Sequence, residues 1–471
     1  MNNIMNTIIT RFAPSPTGSL HLGNIRVALF SWILARQNNG KFILRIDDTD
    51  KNRNSEIYTE NIIKIMNWLS LYYDIGPIFQ SKRIENYKII VKKLIEENNA
   101  YICHCSTDYL KNLRTTQLLL KIKPKYNNHC RNLNIKKYDT NSIIRFKNPL
   151  NDTVEFIDTI RGKIIVSNTE LDDFVIFRGN SLPTYNFAST IDDIEMKVTD
   201  IIRGDDHLSN TSRQINLMTA LKSKVPKFTH VPMILGQNKK PLSKRDNLNN
   251  LYYYESNGFL PNAIINYILK LGWSYENKEI FTRKEILDFF KIENINKSPS
   301  MFDIEKLLWF NKQFIKNLKI DEIIKLIEPI KNKYNLDYTI GPKMEDLITF
   351  QKNRITTLEE IISKNLYFFE KETLIKKDDF NYYFSAKIIN IINEINIKLK
   401  YTICSWNINN IKNIIKTIQI NNNITLNEIT EPLRLAITGK TTPNPIFEII
   451  FLSGKEMVTK KLEDIIKYNK N

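Results

Sequence analysis

A chain of 471 residues with 42% hydrophobic side chains is too long for one core and apolar enough to bury three or four. No run reaches the roughly eighteen uninterrupted apolar residues of a membrane span, and Met1 to Ile9 lacks the basic start and cleavage site of a secretory signal, so a cytoplasmic protein with no membrane partner is expected. The formal net charge of +17 suits a polyanionic partner, although Ile, Asn and Lys recur everywhere, as in Asn421-Asn422-Asn423, and a chain-wide bias supplies part of the lysine excess.

In chain order, Thr10 to Ala13 reads as a strand, Pro14 to Asn24 as a turn punctuated by Pro and Gly, and Leu22 to Arg36 as a helix stopped by Asn38-Asn39-Gly40. Lys41 to Ile46 reads as extended, with helices near Glu56 to Leu69 and Ile84 to Glu97. This strand–helix rhythm resumes with Val198 to Arg203 extended, a helix near Asn210 to Leu221 and Val231 to Leu235 extended. One α/β, doubly wound parallel sheet, split by an inserted α/β domain from roughly Tyr101 to Ser189, explains both halves. From Leu251 the patterns are helical, through Gly258 to Ser274 and Phe302 to Ile315 to the end of the chain. The expected domains are 1–100 with 190–245, the insertion 101–189, a helical domain 246–325 and a second, all-α domain 326–471.

Of the four cysteines, Cys103, Cys105 and Cys130 cluster in the insertion, while Cys404 reads as a buried or neutral side chain in a helical stretch. Three soft ligands suit tetrahedral zinc with one further donor, and a metal-free structural cluster is the alternative.

The first strand–turn–helix junction carries the strongest functional signal. The opening amides of a helix have no intrahelical partners and bear partial positive charge, so they can hold a phosphate, and His21 stands there. The segment PSPTGSLHLGN, Pro14 to Asn24, resembles the HIGH signature of class I aminoacyl-tRNA synthetases, and RFAPSPTG, Arg11 to Gly18, resembles its bacterial-type glutamyl form. Leu242-Ser243-Lys244-Arg245 resembles the mobile KMSKS loop of the same enzymes. The segments Gly258 to Ser274 and Phe302 to Ile315 resemble their stem-contact region, and EPLRLAITG, Glu431 to Gly439, resembles their terminal anticodon-binding domain. The likeness extends over essentially the whole chain.

The resemblance implies a split nucleotide-binding sheet with an inserted domain for the tRNA acceptor end, and ATP-dependent attachment of L-glutamate to tRNA-Glu through glutamyl-adenylate. Such a reaction needs in-line attack on the α-phosphate, so positioning and charge stabilisation supply the rate. His21, with Gly23 and Asn24, would hold the triphosphate from one side, and Ser243 and Lys244 from the other. Magnesium would be held mostly by ATP and water, and no Walker-type GxxxxGK[ST] is present.

A glutamate side chain calls for a planar, bidentate cation. Arg11 is the candidate and Arg203 the second, the alternative for Arg203 being a strand-end ion pair with Asp205 or Asp206. By resemblance Ala13, Ser15, Tyr185 and Ser189 line the amino-acid pocket, Asp47 receives the α-amino group, Tyr126 is the fourth zinc donor beside Cys103, Cys105 and Cys130, and Arg354 reads the third anticodon base. Departures from the family pattern include Asp47 and Asp205 where glutamate is usual, Pro241 for a loop lysine, and Asn132 where a zinc-binding histidine is usual. The alternatives are a non-discriminating enzyme that also charges tRNA-Gln and a catalytically impaired, synthetase-derived tRNA-binding protein. The chain is expected to act as a monomer.

Overall fold

The computed structural model describes residues 7–50, 53–139, 142–236, 238–240 and 251–468. The chain forms two compact units, residues 1–255 with 261–310 and residues 256–260 with 311–471.

The first unit opens with β1 (Ile9–Phe12), α1 (Leu22–Gln37), β2 (Lys41–Ile46), α2 (Glu56–Trp68), β3 (Ile75–Phe79) and α3 (Ile84–Glu96). There follow β4 (Ala100–Cys103), α4 (Thr107–Leu119), β5 (Ile143–Phe146), β6 (Thr153–Asp158), β7 (Gly162–Ser167) and β8 (Val175–Phe177). The unit continues through α5 (Tyr185–Glu195), β9 (Asp200–Gly204), α6 (Leu208–Ala220) and β10 (Lys227–Val231). Among the described residues, seven strands make one sheet in the order β3-β2-β1-β9-β10-β6-β7. Neighbours run parallel except the hairpin β6–β7. This is the doubly wound α/β sheet that the sequence pattern predicts. The chain builds β2 and β3 on one side of β1 and β9 and β10 on the other, so the strand order reverses between β1 and β9, where such sheets bind ligands beyond the carboxyl ends of their strands.

Helix α1 buries Leu22, Ile25, Ala28, Leu29, Phe30 and Ile33. Such wide burial is expected for a helix packed on a sheet, and each large side chain contributes about 1.5–3 kcal/mol. It stops where Asn39 takes a left-handed φ of 49°, a conformation that asparagine tolerates.

The structure departs from the sequence reading in four places. Strand β3 lies in a stretch to which the sequence reading assigns no element, and it carries Gly76 and Pro77 on an edge strand, where proline's missing N–H costs little. Strands β6 and β7 fall inside the 101–189 span yet extend the main sheet, while β4, β5 and β8 form a separate antiparallel sheet. Val231 to Leu235 is not one strand. Pro232 cannot donate to a ladder, so β10 ends at Val231, and Ile234–Leu235 pairs instead with Ser300–Met301. Cys404 is exposed in a bend rather than buried in a helix.

The second unit is helical among its described residues, including Ile320–Lys331, Met344–Gln351, Ala386–Ile397, Ile408–Asn421, Leu426–Thr438 and Lys455–Tyr468. Isoleucines at helical spacing, such as Ile411, Ile415 and Ile418, face its core. The Leu426–Thr438 helix starts with a Thr425–Glu428 capping box and stops at Gly439, whose φ of 72° suits glycine. No helix among the described residues is long and apolar enough to cross a membrane.

Candidate active site

His21 is the N-cap of α1. Its Nδ1 accepts from the Asn24 amide at 3.3 Å, while Asn24 Oδ1 accepts from the His21 amide at 3.2 Å. A ring nitrogen that accepts carries no proton, so the neutral imidazole bears its hydrogen on Nε2 and offers a donor. A Cβ at residue 23 would stand 3.0 Å from the His21 ring, so Gly23 allows the imidazole to fold over the helix start.

The helix start opens on a cavity of about 300 Å³ at the carboxyl ends of β1, β9 and β10, where the strand order reverses. Arg11, Ala13, His21, Gly23, Asn24, Tyr185 and Arg203 all line it, so seven of the residues singled out in the sequence converge. Arg26 and His207, which were not singled out, line it too. Tyr185 packs its ring against His207 at 5.1 Å between centroids.

Two buried guanidiniums flank this cavity. Arg11, 3% exposed, donates from Nε to Asp193 at 3.2 Å and from Nη1 to the Ile202 carbonyl at 3.2 Å. Arg203, 5% exposed, donates to His230 Nε2 at 3.1 Å, Gln214 at 2.7 Å and Thr211 at 2.7 Å. The expected alternative pairing does not form: Asp205 instead meets Arg161 at 2.9 Å, and among the described residues Arg203 makes no ion pair. Burial pulls the Arg203 pKa down, and the neighbouring Arg11 charge adds to this. A ligand carboxylate would relieve both.

Ser15, Asp47 and Ser189 are not on the cavity lining. Ser15 is exposed on the turn. Asp47 and Ser189 lie behind, around a fully buried Arg45 that reaches Asp47 at 2.7 Å, Asp193 at 2.7 Å and Ser189 at 3.2 Å. Burial pushes the Asp47 carboxyl up to about 6 in spite of the Arg45 charge and hydrogen bond, and the nearby charges of Asp192 and Asp193 add to the rise. Burial would likewise raise Asp193, but Arg11 and Arg45 outweigh it and hold its pKa below the ordinary value. Thus Asp193 joins the Arg11 side of the site to the Arg45 layer beneath it. Ser243 and Lys244 lie outside the described residues. The arm leading to them, Pro232 to Ile234, edges the cavity, and Arg26 donates to the carbonyls of Pro232 and Leu271.

In the insertion, the thiols of Cys103, Cys105 and Cys130 lie within 4.8 Å of one another. The Tyr126 hydroxyl sits 3.5 Å from Cys103 and 3.6 Å from Cys105, and Cys105 and Cys130 are 3.5 Å apart. Sulfurs around a tetrahedral zinc stand about 3.8 Å apart, so three thiols and one phenol fit the ion. His104 turns away to the Lys137 carbonyl and Ser142, His129 is exposed against Tyr109, and Asn132 is exposed. In the second unit, Arg354 is exposed in the turn after Met344–Gln351. It donates to the Phe350 carbonyl, with its guanidinium 4.7 Å from the Phe350 ring.

Residues 7–309 match the family of class I tRNA synthetases (E and Q), catalytic domain, and residues 321–466 match the anticodon binding domain family. The chain therefore belongs to the class I tRNA synthetases of the E and Q type. It is 43% identical over 463 residues to the glutamate–tRNA ligase of Buchnera aphidicola subsp. Acyrthosiphon pisum, covering 98% of this chain and 99% of that one. It is also 43% identical over 463 residues to the glutamate–tRNA ligase of Wigglesworthia glossinidia brevipalpis, covering 98% of each. A crystal structure of a glutamate tRNA ligase from Elizabethkingia meningosepticum, in complex with its amino acid, superposes with a TM-score of 0.83 at 27% identity, over 98% of this chain and 99% of that one.

Proposed function

We propose that this chain is a glutamate–tRNA ligase: it activates L-glutamate with ATP to glutamyl-adenylate and transfers the glutamyl group to the terminal ribose of tRNA-Glu. The observation that supports this most is the cavity between the His21 helix start and the paired guanidiniums of Arg11 and Arg203. One end is suited to phosphate and the other to a carboxylate. ATP, with its magnesium, would be held at the His21 end with Lys244 as the second phosphate partner, and Asp47, which lies behind the cavity lining on Arg45, is the proposed acceptor for the α-amino group. A monomer in the cytoplasm suits this task. ATP–pyrophosphate exchange, measured with glutamate in the presence and absence of tRNA-Glu, tests the reading. Absence of glutamate-dependent exchange in both would leave a tRNA-binding protein without the ligase reaction.

Zinc in the Cys103, Cys105, Cys130 and Tyr126 site would pin α4 and the 126–130 loop to strand β4. Elemental analysis is expected to find about one zinc per chain. Cys103→Ser and Cys130→Ser should each lose it, and stoichiometric zinc in both variants would exclude these thiols as ligands.

For tRNA choice, Arg354 is the proposed reader of the third anticodon base, since an exposed guanidinium can prefer one base edge. The wild type is expected to charge tRNA-Glu and largely refuse tRNA-Gln, and Arg354→Gln to relax that preference without changing ATP affinity. Equal charging of both tRNAs by the wild type would mark it as non-discriminating.

A further inference from the structure

Three adjacent parallel strands carry a buried polar row of which the reaction as described uses only Arg203. Strand register sets His230 on β10 opposite Arg203 on β9, and Phe228, two residues earlier, opposite Asp158 at the end of β6. Asp158 Oδ2 accepts from His230 Nδ1 at 2.7 Å and from the His230 amide at 3.0 Å. Its Oδ1 accepts from the amides of Ile160 at 3.0 Å and Arg161 at 2.8 Å, so the carboxylate is held by four donors. On the far side of the ring, His230 Nε2 lies 3.1 Å from Arg203 Nε and 3.0 Å from Thr211 Oγ1. The Phe228 ring stacks along the imidazole at 6.1 Å and also lies under the guanidinium at 5.4 Å.

We propose that Asp158 and His230 are positioning residues for the amino-acid substrate, a relay that fixes the imidazole with its proton on Nδ1 so that Nε2 orients the Arg203 guanidinium toward a ligand carboxylate. The chemistry follows from who donates. An ionised carboxylate can only accept, so it holds the ring proton on Nδ1 and leaves Nε2 as an acceptor. Arginine can only donate, so it needs that acceptor. The other side chains that hydrogen-bond Arg203, Gln214, Thr211 and Tyr185, bring no carboxylate either. A plane of neutral acceptors orients the fork without cancelling its charge, which a carboxylate partner would do. Burial keeps His230 below its ordinary pKa, although Asp158 pulls the other way, and this preserves the neutral ring.

The inference rests on the reading that Arg203 meets the side-chain carboxylate of glutamate. Steady-state charging of tRNA-Glu, with glutamate and ATP varied separately, is the test. His230→Ala is expected to raise the KM for glutamate at least about tenfold, the size of a lost hydrogen bond to a charged group, with the KM for ATP unchanged. His230→Gln, whose amide oxygen can replace Nε2, should recover most of the loss. Thr211→Val, a near-isosteric change that deletes the other shared acceptor, should move the same constant in the same direction even if His230→Ala does not fold. An unchanged glutamate KM, an equal rise in both KM values, or no recovery in His230→Gln overturns the relay. Arg203→Gln separates the two levels: if it too leaves the glutamate KM unchanged, the placement of Arg203 at the substrate fails as well, whereas a large rise there alone removes only the relay.

Discussion

Replacing His21 with alanine is expected to slow glutamate-dependent ATP–pyrophosphate exchange by about 10²–10³-fold, the usual effect of removing one preorganised donor from a developing negative charge. On this proposal the imidazole has two jobs, because its Nδ1 also caps α1 at the Asn24 amide. Losing that cap costs about 1 kcal/mol of stability, which lowers the melting temperature without accounting for a rate loss of that size. His21→Asn separates the jobs: asparagine is a good N-cap but is too short to replace the Nε2–H donor. It should melt near wild type and still exchange slowly. Wild-type exchange in His21→Asn would show that the ring matters only for the fold. Lys244→Ala should give a loss of the same order, with tRNA binding retained in both variants.

Arg11→Gln is expected to damage glutamate recognition by roughly 3–5 kcal/mol, the cost of leaving a buried carboxylate without its cation. That is about two to three and a half decades in the KM for glutamate, with the KM for ATP unchanged. The buried network should survive the change, since Asp193 keeps Arg45 at 2.7 Å when Arg11 is lost. An unaltered glutamate KM would reject Arg11 as a carboxylate partner.

What could be read from the sequence, and what could not, divides along a physical line. The strand, turn and helix from Ile9 to Gln37 are encoded within one continuous segment, so the cap residue His21 and the close-packed Gly23 are visible locally. Arg203 was visible as a candidate because it ends an apolar strand, but its partners were not. Asp158 and His230 lie outside the segments that the sequence pattern marks as strands, and only the register of β6, β10 and β9 makes them a row. Arg45 likewise stood in plain view beside Asp47, yet its role depends on Asp192 and Asp193 arriving from α5, far along the chain. The hairpin β6–β7 joined the main sheet for a similar reason: alternation along β6 shows that one face is buried, not which sheet it extends.

The choice of cation around the cavity has a consequence for how this chain can drift. It contains 51 lysines and 17 arginines, so a basic position under no special demand would usually carry lysine. Yet the buried cations at and beneath the cavity, Arg11, Arg26, Arg45 and Arg203, are all arginine. Arg203 serves three acceptors from three separate nitrogens held in one plane, and a single ammonium on a flexible stem cannot reproduce that fork. A change from arginine to lysine, of little consequence at an exposed position such as Arg53, would therefore strip donors from the walls of this cavity.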